Sequence, residues 1–195
     1  MTAPGEVRLI GGLWKRSKLP VPKHGDVRPT TDRIRETLFN WLGQDLSGWR
    51  CLDAFAGSGA LGFEAASRGA AEVTLLELDA KQAQSLEASR VRLKATMLTV
   101  QRVDALAWLR RSPRERFDLV FLDPPFDSPL LAPSLATAAQ LVVPGGFIYL
   151  ESGAVLDEVP AGFEIWRHAR AGKVHFQLLR RSYTAAPEVD TDRHP

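Results

Sequence analysis

The middle of this 195-residue sequence alternates between short apolar runs and longer amphipathic segments. The apolar runs have the length of β-strands, whereas the segments between them repeat apolar residues at helical spacing. The predicted strands cover residues 50–56, 72–78, 98–103, 117–122 and 147–151, and the predicted helices between them include 60–68 and 80–94. Strands that alternate with helices form βαβ units. We therefore expect an α/β domain with a mostly parallel sheet and helices on both of its faces.

Both ends of the chain depart from this alternation. The predicted elements there are a β-hairpin over 7–22, a helix over 31–43, and a terminal pair of strands over 164–168 and 174–180, the last of them antiparallel. Thr31 or Asp32 can cap the helix, and Gly43 can end it. Its apolar stripe consists of Ile34, Leu38, Trp41 and Leu42. The expected parts are a hairpin extension over 1–30, a main domain over 31–183 and a disordered tail over 184–195.

Composition argues against membrane, secreted and metal-binding classes. Hydrophobic residues make up 45% of the chain and charged residues 25%, as in an average globular protein. No run approaches the ~20 apolar residues of a membrane span, and the N-terminus lacks a signal-peptide layout. The single cysteine, Cys51, has no partner for an internal disulfide, and the four histidines show no ligand spacing. We expect a cytoplasmic, monomeric protein without a metal or a membrane.

Basic residues are concentrated near the N-terminus. Residues 1–28 hold six basic and two acidic side chains, a net charge of +4, whereas the whole chain carries +2. The six are Arg8, Lys15, Arg16, Lys18, Lys23 and Arg28. A basic arm on a slightly acidic body suits a polyanionic partner such as RNA. On charge alone, a merely solvated basic segment is an equal alternative.

A glycine-rich turn, Asp53-Ala-Phe-Ala-Gly57-Ser-Gly59-Ala-Leu-Gly62, follows the first strand of the predicted sheet. Glycines between a strand and a helix let a ligand approach the backbone and direct amide donors at it. Glu77 ends the next strand, twenty residues after Gly57, where a carboxylate can accept hydrogen bonds from both hydroxyls of a ribose. The pattern predicts a nucleoside-containing cofactor; a tight turn with a surface acid is the alternative.

Two features bear on which cofactor that is, because nicotinamide dinucleotides also use such loops. The charge of Asp53 would oppose a pyrophosphate but could hold a cationic amino-acid group. Asp123-Pro124-Pro125-Phe126 follows the fourth predicted sheet strand, at the edge where open α/β sheets bind ligands. Both features favour a cofactor with an amino-acid group over a dinucleotide.

These two motifs together resemble those of S-adenosylmethionine-dependent amino-methyltransferases. The N-terminal segments are similar to the bacterial RsmD family, and the resemblance extends over about residues 7–181. The segments that carry it are Ile10-Gly11-Gly12, Lys18-Leu19-Pro20-Val21-Pro22 and residues 28–42 (RPTTDRIRETLFNWL). The resemblance implies a Rossmann-like class I methyltransferase fold with a mostly parallel seven-stranded sheet. It also implies methylation of the N2 amine of one guanine, position 966 of 16S ribosomal RNA, within the small ribosomal subunit or its assembly intermediate.

The resemblance also implies roles for individual residues. Thr30 and Arg28 would lie near the methionine end of the cofactor, and Asp104 near its adenine amine, although Thr30 and Asp104 could equally cap helices. The expected cofactor contacts are Asp53, Gly57, Gly59, Glu77, Asp104 and Thr30. The expected RNA contacts are Arg8, Lys15, Arg16, Lys18 and Arg28.

The chemistry of an aromatic amine fits the Asp123-Pro124-Pro125-Phe126 motif. A guanine N2 amine is a poor nucleophile because its lone pair is delocalised into the ring. The Asp123 carboxylate and the Pro124 carbonyl can accept hydrogen bonds from its two N–H groups and favour a tetrahedral nitrogen. The prolines stiffen the turn, and Phe126 can stack on an extruded base. These four residues are the predicted catalytic set.

Other functions stay open on the residues alone. A nicotinamide-dependent oxidoreductase would use the same glycine loop, but it leaves the Asp-Pro-Pro-Phe motif without a role. An adenine-N6 methyltransferase acting on DNA or RNA would use that motif on another exocyclic amine, and only the N-terminal resemblance favours guanine. A non-catalytic RNA-binding module predicts damage to the glycine loop or to Asp123, and both are intact.

Overall fold

The computed structural model describes residues 5–21, 31–125 and 128–183, and within these ranges a seven-stranded sheet forms the body of the protein. The strands are β1 (Gly5–Arg8), β2 (Lys18–Val21), β3 (Arg50–Asp53), β4 (Glu72–Glu77), β5 (Leu98–Arg102), β6 (Phe117–Leu122), β7 (Val142–Ser152), β8 (Phe163–Ala171) and β9 (Val174–Arg181). The helices are α1 (Asp32–Leu42), α2 (Ala60–Ser67), α3 (Ala80–Arg92), α4 (Ala105–Leu109) and α5 (Leu131–Ala138). Strands β1 and β2 form a separate antiparallel hairpin.

The order of strands in the large sheet is β5-β4-β3-β6-β7-β9-β8. Strands β5, β4, β3, β6 and β7 pair in parallel, whereas β9 runs antiparallel to both of its neighbours. From β3 the chain first builds outward through β4 and β5 and then crosses to β6 on the other side of β3. This reversal leaves a crevice at the carboxyl ends of β3 and β6, where open α/β sheets bind ligands.

Each face of the sheet has its own apolar core. Along β6, Leu119 and Phe121 point toward α1, α2 and α3, while Val120 and Leu122 point toward α4 and α5. We call these the α1 face and the α5 face. All four side chains are fully buried, as the continuous apolar run of this strand predicts for a strand covered on both sides.

The predicted alternation of strands and helices is confirmed, with three differences in detail. Strand β3 ends at Asp53, so the glycine loop begins directly behind it. Strand β7 starts at Val142 instead of residue 147, because the chain passes through Pro144-Gly145-Gly146 with a register shift opposite β6 and then continues the same pairing. Helix α5 was not among the predicted helices, since its short alanine-rich sequence contains a proline, which its first turn tolerates.

Helix α1 confirms the predicted ends but only part of the predicted stripe. The Thr31 hydroxyl accepts a hydrogen bond from the Ile34 amide at 3.4 Å, and Gly43 follows the last turn with φ of +92°. Ile34 and Leu38 are buried as expected, whereas Trp41 and Leu42 are half-buried. Arg35 and Phe39 are buried in their place, because α1 packs against the hairpin as well as against the sheet.

The connection between β1 and β2 is fastened to the C-terminal end of α2. The Ser67 hydroxyl donates to the Gly11 carbonyl at 2.6 Å and accepts from the Trp14 amide at 2.9 Å. A Cβ atom on Gly12, which has φ of +68°, would lie 1.8 Å from the Ser67 carbonyl oxygen. The Ile10-Gly11-Gly12 motif is therefore explained by close contact with α2, which only glycine permits at Gly12.

The described ranges contain no helix long and apolar enough to cross a membrane. The same ranges contain no group of three or more side chains that could hold a metal ion.

Candidate active site

Four carboxylates follow one another along the carboxyl edge of the sheet, on neighbouring strands. Glu77 ends β4, Asp53 ends β3, Asp123 follows β6, and Glu151 lies near the end of β7. Side chains alternate between faces along a strand, so all four lie on the α1 face, together with buried residues such as Phe121. Asp53, Glu77 and Asp123 were predicted site residues, whereas Glu151 was not.

The glycine loop is shaped by positive φ angles and by close packing. Gly57 has φ of +50° and Gly59 has φ of +77°, a backbone region that other residues rarely adopt. A Cβ atom on Gly59 would lie 2.6 Å from the Leu86 side chain, and one on Gly62 would lie 2.1 Å from Leu75. The loop can therefore hold its backbone close to a ligand while α2 begins directly behind it.

Asp53 lies beneath this loop and is almost fully buried, with 1% of its surface exposed. Its Oδ2 accepts a hydrogen bond from the Gly62 amide in the first turn of α2 at 3.0 Å. Burial raises the pKa of Asp53 to about 7, opposed by the Gly62 and Phe55 amides and assisted by the charge of Glu77. A cationic group bound beside Asp53 would favour its ionised form.

Glu77 connects the glycine loop to the end of β4. Its Oε2 accepts from the Gly57 amide at 2.8 Å, and its Oε1 accepts from the Asp79 amide at 2.7 Å. Two carboxylate oxygens offer about four acceptor positions, so hydroxyls of a ligand can still bind. Leu78, the next residue, is 64% exposed and offers an apolar surface at the same edge of the sheet. This residue was not identified from the sequence.

Asp104 is the N-cap of α4, which confirms one of its two predicted roles. Its Oδ1 accepts from the Ala107 amide at 2.7 Å, and its side chain is exposed. The preceding residue, Val103, donates its amide to the Glu77 carbonyl at 3.1 Å and so holds Asp104 beside the end of β4. The contact with an adenine amine stays a prediction, compatible with the cap.

The chain leaves β6 through Asp123, Pro124 and Pro125. Asp123 is half-buried, Pro124 is buried and Pro125 is exposed, and the Pro125 carbonyl accepts from the Ser128 amide at 3.1 Å. Neither proline has an N–H that could compete for an acceptor. Phe126 lies outside the described residues, as do Thr30 and Arg28.

The predicted RNA contacts in the hairpin have exposed side chains. Lys15 and Arg16 project from the turn between β1 and β2, while Lys18 lies 2.7 Å from Glu6 and Arg8 lies 3.6 Å from Asp32. Ion pairs between such exposed groups contribute little stability, so these cations are available to a polyanion.

Comparisons with known proteins establish the family. A family model described as conserved hypothetical protein 95 matches residues 7–180. A Ribosomal RNA small subunit methyltransferase D from Escherichia coli strain K12 is 42% identical, over 96% of this chain and 96% of that protein. The chain belongs to the RsmD family. The protein of the same name from Haemophilus influenzae is 46% identical, over 91% of this chain and 95% of its own length.

Solved structures confirm the predicted fold. One of them, a putative methyltransferase from Escherichia coli, superposes with a TM-score of 0.82 at 40% identity, covering 92% of this chain and 100% of that chain. The Rossmann-like class I methyltransferase fold is therefore confirmed for this RsmD-family protein, and a methyltransferase is favoured over the oxidoreductase alternative. The roles of single residues at the site stay predictions.

Proposed function

We propose that this RsmD-family protein transfers a methyl group from S-adenosylmethionine to the N2 amine of guanine 966 in 16S ribosomal RNA. One observation carries the proposal: the glycine loop with Glu77 and the Asp123-Pro124-Pro125 turn lie at one edge and on one face of the sheet. Glu77 and Asp123 are two strands apart, about 10 Å at the usual strand spacing. Relatives named as small-subunit ribosomal RNA methyltransferases support the choice of RNA.

The donor set at this edge fits S-adenosylmethionine. Glu77 would accept hydrogen bonds from the ribose hydroxyls, and Asp104 would accept from the adenine amine beside the apolar surface of Leu78. Asp53, close to the glycine loop, would stabilise the cationic amino group of the methionine part, which Thr30 would also approach. When bound, S-adenosylmethionine supplies an electrophilic methyl group on a sulfonium.

The Asp123 turn prepares the amine for attack. The Asp123 carboxylate and the Pro124 carbonyl would accept hydrogen bonds from the two N–H groups and hold the nitrogen in a tetrahedral geometry. Pro124 is buried, and its ring restricts the backbone at this point. Phe126 would stack on the flipped guanine, a contact worth about 1–3 kcal/mol in other base–aromatic pairs.

Replacing Glu77 with alanine should weaken binding of S-adenosylmethionine by about 1–3 kcal/mol, because ribose hydroxyls and the Gly57 amide lose their acceptor. Isothermal titration calorimetry measures the loss. Glu77→Gln, which keeps one acceptor oxygen, should lose less. Asp157→Ala, which removes an exposed carboxylate from the loop after β7, should bind normally. Unchanged affinity in Glu77→Ala, or saturable binding of NAD(H) by the wild type, would contradict the proposed cofactor.

Mapping the methylated nucleotide tests the proposed function directly. The protein is incubated with labelled S-adenosylmethionine and either naked 16S RNA or small ribosomal subunits, both from cells that lack this modification. We expect one labelled guanine, with the methyl group on N2. Label on an adenine N6 would favour the alternative methyltransferase, and no label on either substrate would refute the proposal.

A variant of the basic hairpin tests whether its cations bind RNA. The triple substitution Lys15→Ala, Arg16→Ala and Lys18→Ala removes exposed cations and should leave cofactor affinity unchanged. RNA affinity should fall, and the slope of log affinity against log salt should decrease by about one unit per lost phosphate contact. An unchanged slope would mean that the hairpin is only solvated.

A further inference from the structure

Glu151 stands beside Asp123 at the end of the next strand. Strands β6 and β7 pair in parallel, with Phe121 opposite Tyr149 and Leu122 opposite Leu150. Asp123 directly follows β6, so the same register extended by one residue sets it opposite Glu151. Paired residues on adjacent strands are about 4.8 Å apart. The rings of Phe121 and Tyr149 meet edge to face at 6.2 Å, so both side chains lie on the α1 face. The two carboxylates therefore share that face at the same edge.

A buried tyrosine fixes the orientation of Glu151. The Tyr149 side chain is fully buried, and its hydroxyl donates a hydrogen bond to Glu151 Oε1 at 2.8 Å. Burial raises the pKa of the Tyr149 phenol well above its usual value, and the charges of Glu151 and Asp123 raise it further. The phenol therefore remains a proton donor at any physiological pH. It occupies one of about four acceptor positions of the Glu151 carboxylate, which is half-buried at the crevice.

An ionised carboxylate only accepts hydrogen bonds, and this property distinguishes guanine from adenine. The Watson–Crick edge of guanine carries the N1–H donor directly beside the N2 amine. In adenine, N1 is an unprotonated acceptor beside the N6 amine, and its lone pair would face the carboxylate. Enzymes that extrude a base read it through hydrogen bonds to this edge. Two neighbouring carboxylates thus match two neighbouring donor groups of guanine.

We propose that Glu151, oriented by Tyr149, accepts a hydrogen bond from guanine N1–H while Asp123 contacts the N2 amine, and that Glu151 thereby selects guanine over other amine-bearing bases. This inference rests on the proposed function and adds the residue that determines base specificity. Good paired contacts of this kind discriminate between bases by about ten- to hundred-fold. No step of methyl transfer is assigned to Glu151.

The test uses 2-aminopurine, which keeps the 2-amine of guanine but has an unprotonated N1. Small subunits are reconstituted with 16S RNA that carries either guanine or 2-aminopurine at the target position, and kcat/KM for methylation is measured on both. The wild type should prefer guanine. Glu151→Gln should reduce this preference at least tenfold, because a carboxamide can donate to the N1 of 2-aminopurine. Tyr149→Phe, which removes only the anchoring hydroxyl, should reduce the preference by a smaller factor.

A control variant and two further measurements distinguish a loss of base specificity from a loss of folded structure. Glu158→Gln changes an exposed carboxylate in the loop after β7 and should keep the wild-type preference. Thermal unfolding and S-adenosylmethionine affinity show whether Glu151→Gln is folded. Equal losses on both substrates by a folded Glu151→Gln protein would mean that Glu151 is structural, and would overturn the inference while the proposed function stands. Absence of methylation by the wild type on both substrates would refute the proposed function, and this inference with it.

Discussion

Replacing Asp123 with alanine should lower the rate of methyl transfer in a single turnover by about a hundred-fold or more. Asp123 follows β6 at the carboxyl edge of the sheet, two strands from Glu77, and in the proposed function its carboxylate contacts the amine that attacks the cofactor methyl group. Alanine removes an acceptor that is needed most when the amine becomes tetrahedral. Affinity for S-adenosylmethionine should stay nearly unchanged, because no proposed cofactor contact is lost.

Measurement at saturating cofactor and RNA separates this effect from binding. Asp123→Asn keeps one acceptor oxygen and should retain more activity than Asp123→Ala. Phe126→Ala should fail differently, through weaker productive binding of RNA, whereas Phe126→Tyr keeps the ring face and should be tolerated. Near-normal turnover by a folded Asp123→Ala protein would show that Asp-Pro-Pro-Phe is only a structural turn. The proton lost by the amine can pass to water after methyl transfer, so the prediction concerns orientation and not proton removal.

The parts of the fold that follow from local patterns were predictable from the sequence. Strand β6 is a nearly continuous apolar run, and the glycine loop has the spacing expected of a strand-to-helix turn. The same applies to the position of Glu77 at the end of a strand, whereas its hydrogen bond with the Gly57 amide was not predicted. Helix α5 and the start of β7 were missed because prolines and glycines there resemble loop sequence, whereas pairing with β6 and packing against the sheet decide the structure.

The parts of the site that depend on tertiary contact were not predictable in this way. Glu151 ends a strand like many exposed acids, and only the register of β6 and β7 places it beside Asp123. Leu78 has no distinctive pattern until the sheet exposes it next to Glu77. Arg35 belongs to the charged positions of an amphipathic helix, yet it is fully buried because the hairpin covers it. The periodicity of a sequence predicts which face of a helix or strand is apolar. It does not predict which other elements of the fold cover the polar face.

A buried ionic cluster joins the hairpin to the methyltransferase body. Glu64 on α2 and Arg35 on α1 are both fully buried, with Arg35 Nη1 at 3.5 Å from Glu64 Oε2. The same oxygen accepts from the Ile10 amide at 2.9 Å, and Glu64 Oε1 accepts from Arg68 Nε at 2.9 Å. Arg35 also donates to the Arg8 carbonyl at 2.8 Å. The Glu64 carboxylate thus contacts two guanidinium groups, of which Arg35 also pairs with Asp32 at 2.6 Å, and it binds the start of the hairpin turn.

Replacing Glu64 with alanine should therefore lower the free energy of unfolding by about 3–5 kcal/mol, since Arg68 would keep a buried charge without its carboxylate partner and Arg35 would keep Asp32 but lose Glu64. In a domain of this size such a loss lowers the melting temperature by about 6–20 °C. Thermal and urea unfolding measure it. Glu36→Ala removes an exposed acid from α1 and should stay within about 0.5 kcal/mol of the wild type.

Because the Ile10 amide loses its acceptor in Glu64→Ala, trypsin should also cleave this variant faster than the wild type at Lys15 and Arg16 under native conditions. If Glu64→Ala were as stable as Glu36→Ala, the cluster would not hold the hairpin against the body.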